Sequence, residues 1–300
     1  MPVSEVYPIS EFLNYLTFQK RYSRHTIISY QNDLTGFFDF VVSQYNSLNL
    51  PDISASVVRS WLASLKEDKI ASKTINRKIS TLKSFFKYQL KMNQIEVSPM
   101  TAIVSLKISR RLPSFVEQRD INTLFNYIEF PETWEGKTDQ LLLMIFYQTG
   151  IRLSELINLK ESQVDKSNSS IKVLGKGNKE RVIPVNNKLL RQIDDYISEK
   201  KIFPEESKNT LLLVNKKGKQ LYPKYVYNVV KKYLGDVSTN ERKSPHVLRH
   251  SFATHLTNNG ADINAIKELL GHASLASTQI YTHNSIDKLK EVHKLAHPKS

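Results

Sequence analysis

From Ser10 to Met92 the apolar residues recur almost only at intervals of three and four, and between Val97 and Pro113 that recurrence stops. This break constrains the fold more than any other feature. A segment whose apolar groups line single helix faces can bury them only against other helices, so the first part of the chain closes on itself as a helical unit. Ser23 can cap a helix carrying Ile27, Tyr30, Leu34, Phe37, Phe38 and Val41. Ser54 or Ser56 can cap a second with Val57, Val58, Trp61, Leu62 and Leu65, and Ser72 a third with Ile75, Ile79, Leu82, Phe85, Phe86 and Leu90. With a shorter opening helix from Ile9 to Gln19, the expectation is a four-helix domain over residues 1–97. The stretch SPMTAIVSLKISRRLP, with two prolines and paired arginines, reads as a linker over 98–113. A chain of 300 residues is expected to hold two domains, each large enough for its own core.

Beyond the break the pattern is mixed. A helix from Gln118 to Tyr127 precedes a very apolar one that ends in Leu141–Tyr147 and is stopped by Gly150, and another begins at Ser154. The period then changes to two: Ile171 and Val173, a GKGNKE turn, and Val182, Ile183 and Val185 predict a β-hairpin. Helices are expected at 186–200, 223–234, 245–258, 262–270 and 274–282. Ile286, Leu289, Val292 and Leu295 make a last amphipathic stretch.

Lys and Arg number 43 against 29 Asp and Glu, a formal net charge of +14. The excess is distributed: 14 basic and 8 acidic groups lie in residues 1–110, 29 and 21 in the rest. Such a balance points first to a polyanion, because cations that neutralise phosphates release counterions; a merely solubilising surface is the alternative. The absence of cysteine excludes disulfides, a thiol nucleophile and thiolate-ligated zinc. The N-terminus has no signal-peptide pattern, and the longest fully apolar run, Leu141–Tyr147, is far short of the roughly 20 residues that span a bilayer. A soluble cytoplasmic protein without a membrane partner is expected.

Seven of the eight histidines fall between His246 and His297. His246 and His250 are spaced i,i+4 on a helix that Ser244 can cap and Pro245 can start, a spacing that can bind zinc. No acidic residue lies near them, and Arg249 would set a permanent cation beside the ion, so no metal is expected. His246 and Arg249, three apart, point the same way, with Leu248, Phe252 and Leu256 as the core stripe. Arg152 follows Gly150 between two helices. Lys176 lies at the hairpin tip, His272 directly after Gly271, and Tyr281 at the end of a short helix beginning near Ser274.

These segments, TGIRLSEL, VLGKGNKERVIPV, HVLRHSFATHL and LLGHASLASTQIYTH, resemble the successive signature boxes of the tyrosine recombinases, the phage-integrase-type enzymes. Arg152, Lys176, His246 with Arg249, His272 and Tyr281 stand in the family's order. The first domain resembles the family's SAM-like core-binding domain. The chain is most similar to the Xer type, with HPK near its end where Xer proteins commonly have HPR.

The resemblance implies a mainly α protein: a four-helix core-binding domain and a mostly α catalytic domain, over 114–284, with a small antiparallel β-sheet. It implies Tyr281 as the nucleophile that forms a 3′-phosphotyrosyl bond, since a phenol needs a proton acceptor and nearby cations to attack at neutral pH. Arg152 and Arg249 would hold the phosphate oxygens, His246 would move the tyrosine proton, and Lys176 would protonate the leaving 5′ oxygen. His272 would bond the phosphate. Glu155 is expected either to orient a cation of this set or to make a plain surface ion pair. No cofactor is implied. The partner is double-stranded DNA with a roughly palindromic site, bound by a homotetramer or by a heterotetramer with a second recombinase, with or without an activating DNA translocase. Residues 285–300 would dock in trans. Xer-type resolution of chromosome dimers through Holliday junctions is the leading reading. The alternatives are a mobile-element integrase or invertase, a type IB topoisomerase-like enzyme, or a non-catalytic DNA-binding relative.

Overall fold

The structure is a computed structural model that describes residues 7–46, 48–108, 115–175, 180–201, 210–271 and 294–295. The chain divides into two compact units, Met1–Arg111 and Leu112–Ser300. Both are mainly helical, and the second carries a three-stranded antiparallel sheet. Among the described residues no helix is long and apolar enough to cross a membrane.

In the first unit, α1 (Ile9–Asn14) runs into a π-helical turn over Tyr15–Gln19, followed by α2 (Arg24–Tyr45), α3 (Ala55–Glu67) and α4 (Ser72–Lys91). Ser23 caps α2 by accepting the Thr26 N–H, and the helix stops at Asn46 in the left-handed region. The Ser72 expectation is corrected: the cap position of α4 is Ala71, and Ser72 stands inside the first turn. The predicted stripes form the core, with Leu34, Phe37, Phe38, Leu82, Phe85 and Phe86 fully buried. One carboxylate lies among them. Asp33 is buried and accepts from Arg77, from Lys78 at 3.1 Å and from the Thr81 hydroxyl at 2.9 Å. Charged α4 residues thus anchor the helix from within. The chain beyond Val97 still belongs to this unit, since Met100 and Ile103 are buried and Asn76 makes two hydrogen bonds with the Leu106 backbone, at 2.9 and 2.8 Å.

The second unit contains α5 (Gln118–Asn126), α6 (Trp134–Thr149) and α7 (Leu153–Ile157), then β1 (Val164–Asp165), β2 (Ser170–Leu174) and β3 (Glu180–Pro184). After them come α8 (Asn187–Lys200), α9 (Pro223–Val237), α10 (Pro245–Asn258) and α11 (Ile263–Leu270). The expected hairpin is present with Ile171 opposite Ile183 and Leu174 opposite Glu180, and Val164–Asp165 adds a short third strand. Ile171, Val173 and Ile183 face the core. Helix α6 is buried along its whole last half, from Leu141 to Thr149, as an unbroken apolar run requires. The expected helix at 274–282 and the amphipathic stretch that follows it lie outside the described residues, apart from Lys294 and Leu295.

Candidate active site

Two helix ends build the site. Helix α6 terminates at Gly150, whose φ of +57° is the left-handed cap conformation. A Cβ there would lie 2.5 Å from the Phe252 ring and 2.9 Å from Leu270, so only glycine fits. Helix α11, capped at its start by Asp262, terminates at Gly271 with φ +61°. Such ends present carbonyls without helical partners and carry the negative pole of the helix dipole. Arginines meet them.

Arg249 lies on α10, one turn above the Pro245 start, and is buried. It donates to the Gly150 carbonyl and to the Leu270 carbonyl, each at 2.5 Å. Burial, and then the charges of Arg152 and Arg181, lower its pKa to about 9, which leaves it protonated at neutral pH. Arg152 is the N-cap residue of α7. An arginine has no acceptor with which to cap, so only the return half of a capping box forms: Glu155 accepts the Arg152 backbone N–H at 2.8 Å. The Arg152 guanidinium bonds Glu155 at 2.8 Å and the Gly271 carbonyl at 2.9 Å. Arg152 and Arg249 are therefore brought together on the consecutive carbonyls Leu270 and Gly271.

A third arginine completes the cluster and was missed in the sequence. Arg181 of β3 meets Glu155 end-on, donating from Nη1 and Nη2 to its two oxygens at 3.0 and 2.7 Å, and donates through Nε to the Leu269 carbonyl at 2.8 Å. Glu155 is thus the orienting carboxylate of the set and no surface ion pair. Burial works against its charge, but the bonds from Arg181 and Arg152 hold its pKa down to about 2. Three guanidiniums around one carboxylate leave a positive pocket. A guanidinium has five N–H donors, and the contacts above use two each from Arg152 and Arg249, so both keep donors for an anion.

His246 is exposed on α10, one turn before Arg249, and His250 is half-buried. Ser244 holds the cap position with no side-chain bond, while Pro245 starts the helix as expected. Leu248, Phe252 and Leu256 are fully buried. His255 is buried against Tyr147, whose hydroxyl lies 3.0 Å from its Nδ1. Among the described residues no group of three His, Cys, Asp or Glu side chains is placed to hold a metal. Lys176, His272 and Tyr281 lie outside the described residues, although Gly175 and Gly271, their neighbours or near neighbours in sequence, lie within them.

The phage integrase family model matches residues 114–287, and the model of the phage integrase N-terminal SAM-like domain matches residues 9–93. A protein of Thermodesulfovibrio yellowstonii, tyrosine recombinase XerC, is 37% identical over 298 residues, covering 97% of this chain and 96% of its own. The tyrosine recombinase XerC of Chlorobaculum parvum is 33% identical over 315 residues, covering 97% and 94%. Among solved structures, the XerH site-specific recombinase bound to palindromic difH substrate, a post-cleavage complex, superposes with a TM-score of 0.71 at 26% identity, covering 96% of this chain and 84% of that one.

Proposed function

The chain belongs to the phage integrase family as a tyrosine site-specific recombinase of the Xer type, and we propose that its arginine pocket binds the scissile phosphate of duplex DNA. The observation that carries this reading is the placement of Arg152 and Arg249 on the adjacent carbonyls of Leu270 and Gly271. Two preorganised guanidiniums at one point can take the two non-bridging oxygens of a phosphodiester and hold the charge that grows in the pentavalent transition state.

The remaining roles are those that the family resemblance implies. The Tyr281 oxygen attacks phosphorus while His246 takes its proton, and the bond from phosphorus to O5′ breaks as Lys176 delivers a proton to that oxygen. The product is a 3′-phosphotyrosyl ester and a free 5′ hydroxyl, with His272 bonding the phosphate. The ester keeps the energy of the cleaved diester, so a 5′ hydroxyl from a second duplex can displace Tyr281 by the reverse steps and lead through a Holliday junction.

In this reading residues 1–97 form the core-binding domain and 114–284 the catalytic domain, with 98–113 as the connection between them, whose first part up to Leu106 packs on the first unit. Residues 285–300 dock on a neighbouring protomer of a tetramer, homomeric or shared with a second recombinase, on two roughly palindromic sites. The setting is cytoplasmic and the task is resolution of chromosome dimers. A suicide substrate nicked beside the cleavage point tests the chemistry: the parent chain is expected to form a covalent adduct and Tyr281→Phe none. An adduct in the variant, or none in the parent, overturns the assignment.

A further inference from the structure

Arg181 is the one arginine of the cluster to which the reaction assigns no task. It sits opposite Val173 in the hairpin, with its side chain only 8% exposed. Its Nη1 and Nη2 take both oxygens of Glu155 and its Nε takes the Leu269 carbonyl. A Cβ at Gly271 would stand 3.1 Å from its Cδ, so the side chain also lies against the glycine that precedes His272. One side chain of β3 thus ties α7 to the end of α11. Three of its five N–H donors, one on each nitrogen, are taken by protein, against two of five for Arg152 and for Arg249.

What Arg181 does to Glu155 matters more. A carboxylate offers about four lone-pair positions, and a guanidinium that can reach both oxygens pairs with them bidentately. Arg152 and Arg181 compete for that arrangement. Because Arg181 holds it, the Arg152 guanidinium is limited to a single contact with one Glu155 oxygen, at 2.8 Å, and one with the Gly271 carbonyl. Without Arg181, Glu155 would be free to pair with Arg152 side-on and neutralise the cation that the phosphate needs.

We propose that Arg181 is a positioning residue, which occupies Glu155 and braces the end of α11 so that Arg152 stays directed at the scissile phosphate. The proposal rests on the recombinase reading given above. It predicts a loss in the chemical step that depends on the charge of the phosphate and leaves DNA affinity nearly unchanged.

The test uses the full chain with Arg181→Met and Arg181→Lys, in single-turnover cleavage of a nicked site whose scissile linkage is a phosphodiester or a neutral methylphosphonate. On the phosphodiester both variants are expected to be slowed by about 10²-fold, the cost of a misplaced group near 1 Å. On the methylphosphonate, which lacks the charge Arg152 neutralises, the loss should be under about 5-fold, and site affinity by gel shift should stay within about 3-fold. Arg181→Lys, which keeps the buried charge, is the variant read if Arg181→Met melts far below the parent. Equal losses on the two substrates, no loss on the phosphodiester, or unfolding of both variants would overturn the proposal and leave a structural ion pair. Absence of any adduct with the parent chain removes the recombinase reading itself, and the proposal with it.

Discussion

Arg249 donates from Nη1 to the carbonyl of Gly150 at 2.5 Å, and that carbonyl is turned toward it by a glycine held at φ +57°. The buried cation and the helix stop are therefore one structure. Gly150→Ala must place a methyl group 2.5 Å from Phe252 in a backbone region that alanine disfavours. Strain of ~1–3 kcal/mol for the backbone adds to ~1–3 kcal/mol for overpacking. The expected outcome is a drop in the denaturation midpoint of the second unit, read by the fluorescence of Trp134, with loss of covalent cleavage. An unchanged midpoint would mean that α6 can end without glycine.

Acid should weaken the second unit in two separable steps. His255 has its pKa lowered, first by burial, with the Val116 backbone and Glu117 opposing. The unfolded chain therefore binds protons before the folded one does, and stability falls as pH drops below about 6.5. Glu155, held at about 2 in the fold, contributes stability that is fully present above the ordinary carboxylate range near 4.5 and is lost as pH falls toward 2. Urea denaturation from pH 7 to 3 should show His255→Gln flattening the upper part of the profile and Glu155→Gln the lower part; a profile unaltered by both substitutions contradicts the assignment.

In the first unit, Asp33→Asn leaves Lys78 and Arg77 without their carboxylate inside a packed helix pair. Breaking a buried pair costs ~3–5 kcal/mol, and the half-exposed Arg77, screened by water, brings the expected loss to ~2–3 kcal/mol. The protein has two tryptophans, Trp61 in the first unit and Trp134 in the second. With Trp134→Phe as background, Trp61 should report an earlier transition in Asp33→Asn. With Trp61→Phe, Trp134 should report none.

Lys176→Ala should slow cleavage of an ordinary site by ~10²–10⁴-fold, the span of a lost general acid. A substrate with a 5′-thiol leaving group needs no proton and should be cleaved at nearly the parental rate. Equal slowing of both substrates would move the acid to another residue.

The helical stripes were legible in the sequence because burial on one face demands a period: Leu34, Phe37, Phe38 and Val41 were identified and are all buried. Gly150 was legible for a similar reason, since few residues other than glycine end an apolar helix so abruptly. The strand Val164–Asp165 was not, because two residues carry no period. Ser72 misled because a serine before a helix is a cap only when its hydroxyl faces the first turn, and Ala71 occupies that position instead. Within the site, Arg152, Arg249 and the doubtful Glu155 came from the sequence, but Arg181 did not. In ERVIP it stands two residues before Ile183 and so on the core-facing side, but next to the exposed Glu180 at the start of the strand, where an arginine reads as a surface cation. The available signal was Glu155 itself: a carboxylate at the third position of a five-residue helix, beside a cation, implied a second cation from elsewhere in the chain.

The three arginines are held partly by main-chain oxygens, those of Gly150, Leu269, Leu270 and Gly271. An acceptor of that kind belongs to the polypeptide and survives any exchange of the side chain above it. Drift at Leu269 or Leu270 can loosen the packing without deleting a single ligand of the pocket. The vulnerable points are the two helix ends that present the Gly150, Leu270 and Gly271 oxygens, and each turns on a glycine at positive φ. Inactivating substitutions around this centre should therefore gather at Gly150 and Gly271, residues that contribute no side chain to the reaction.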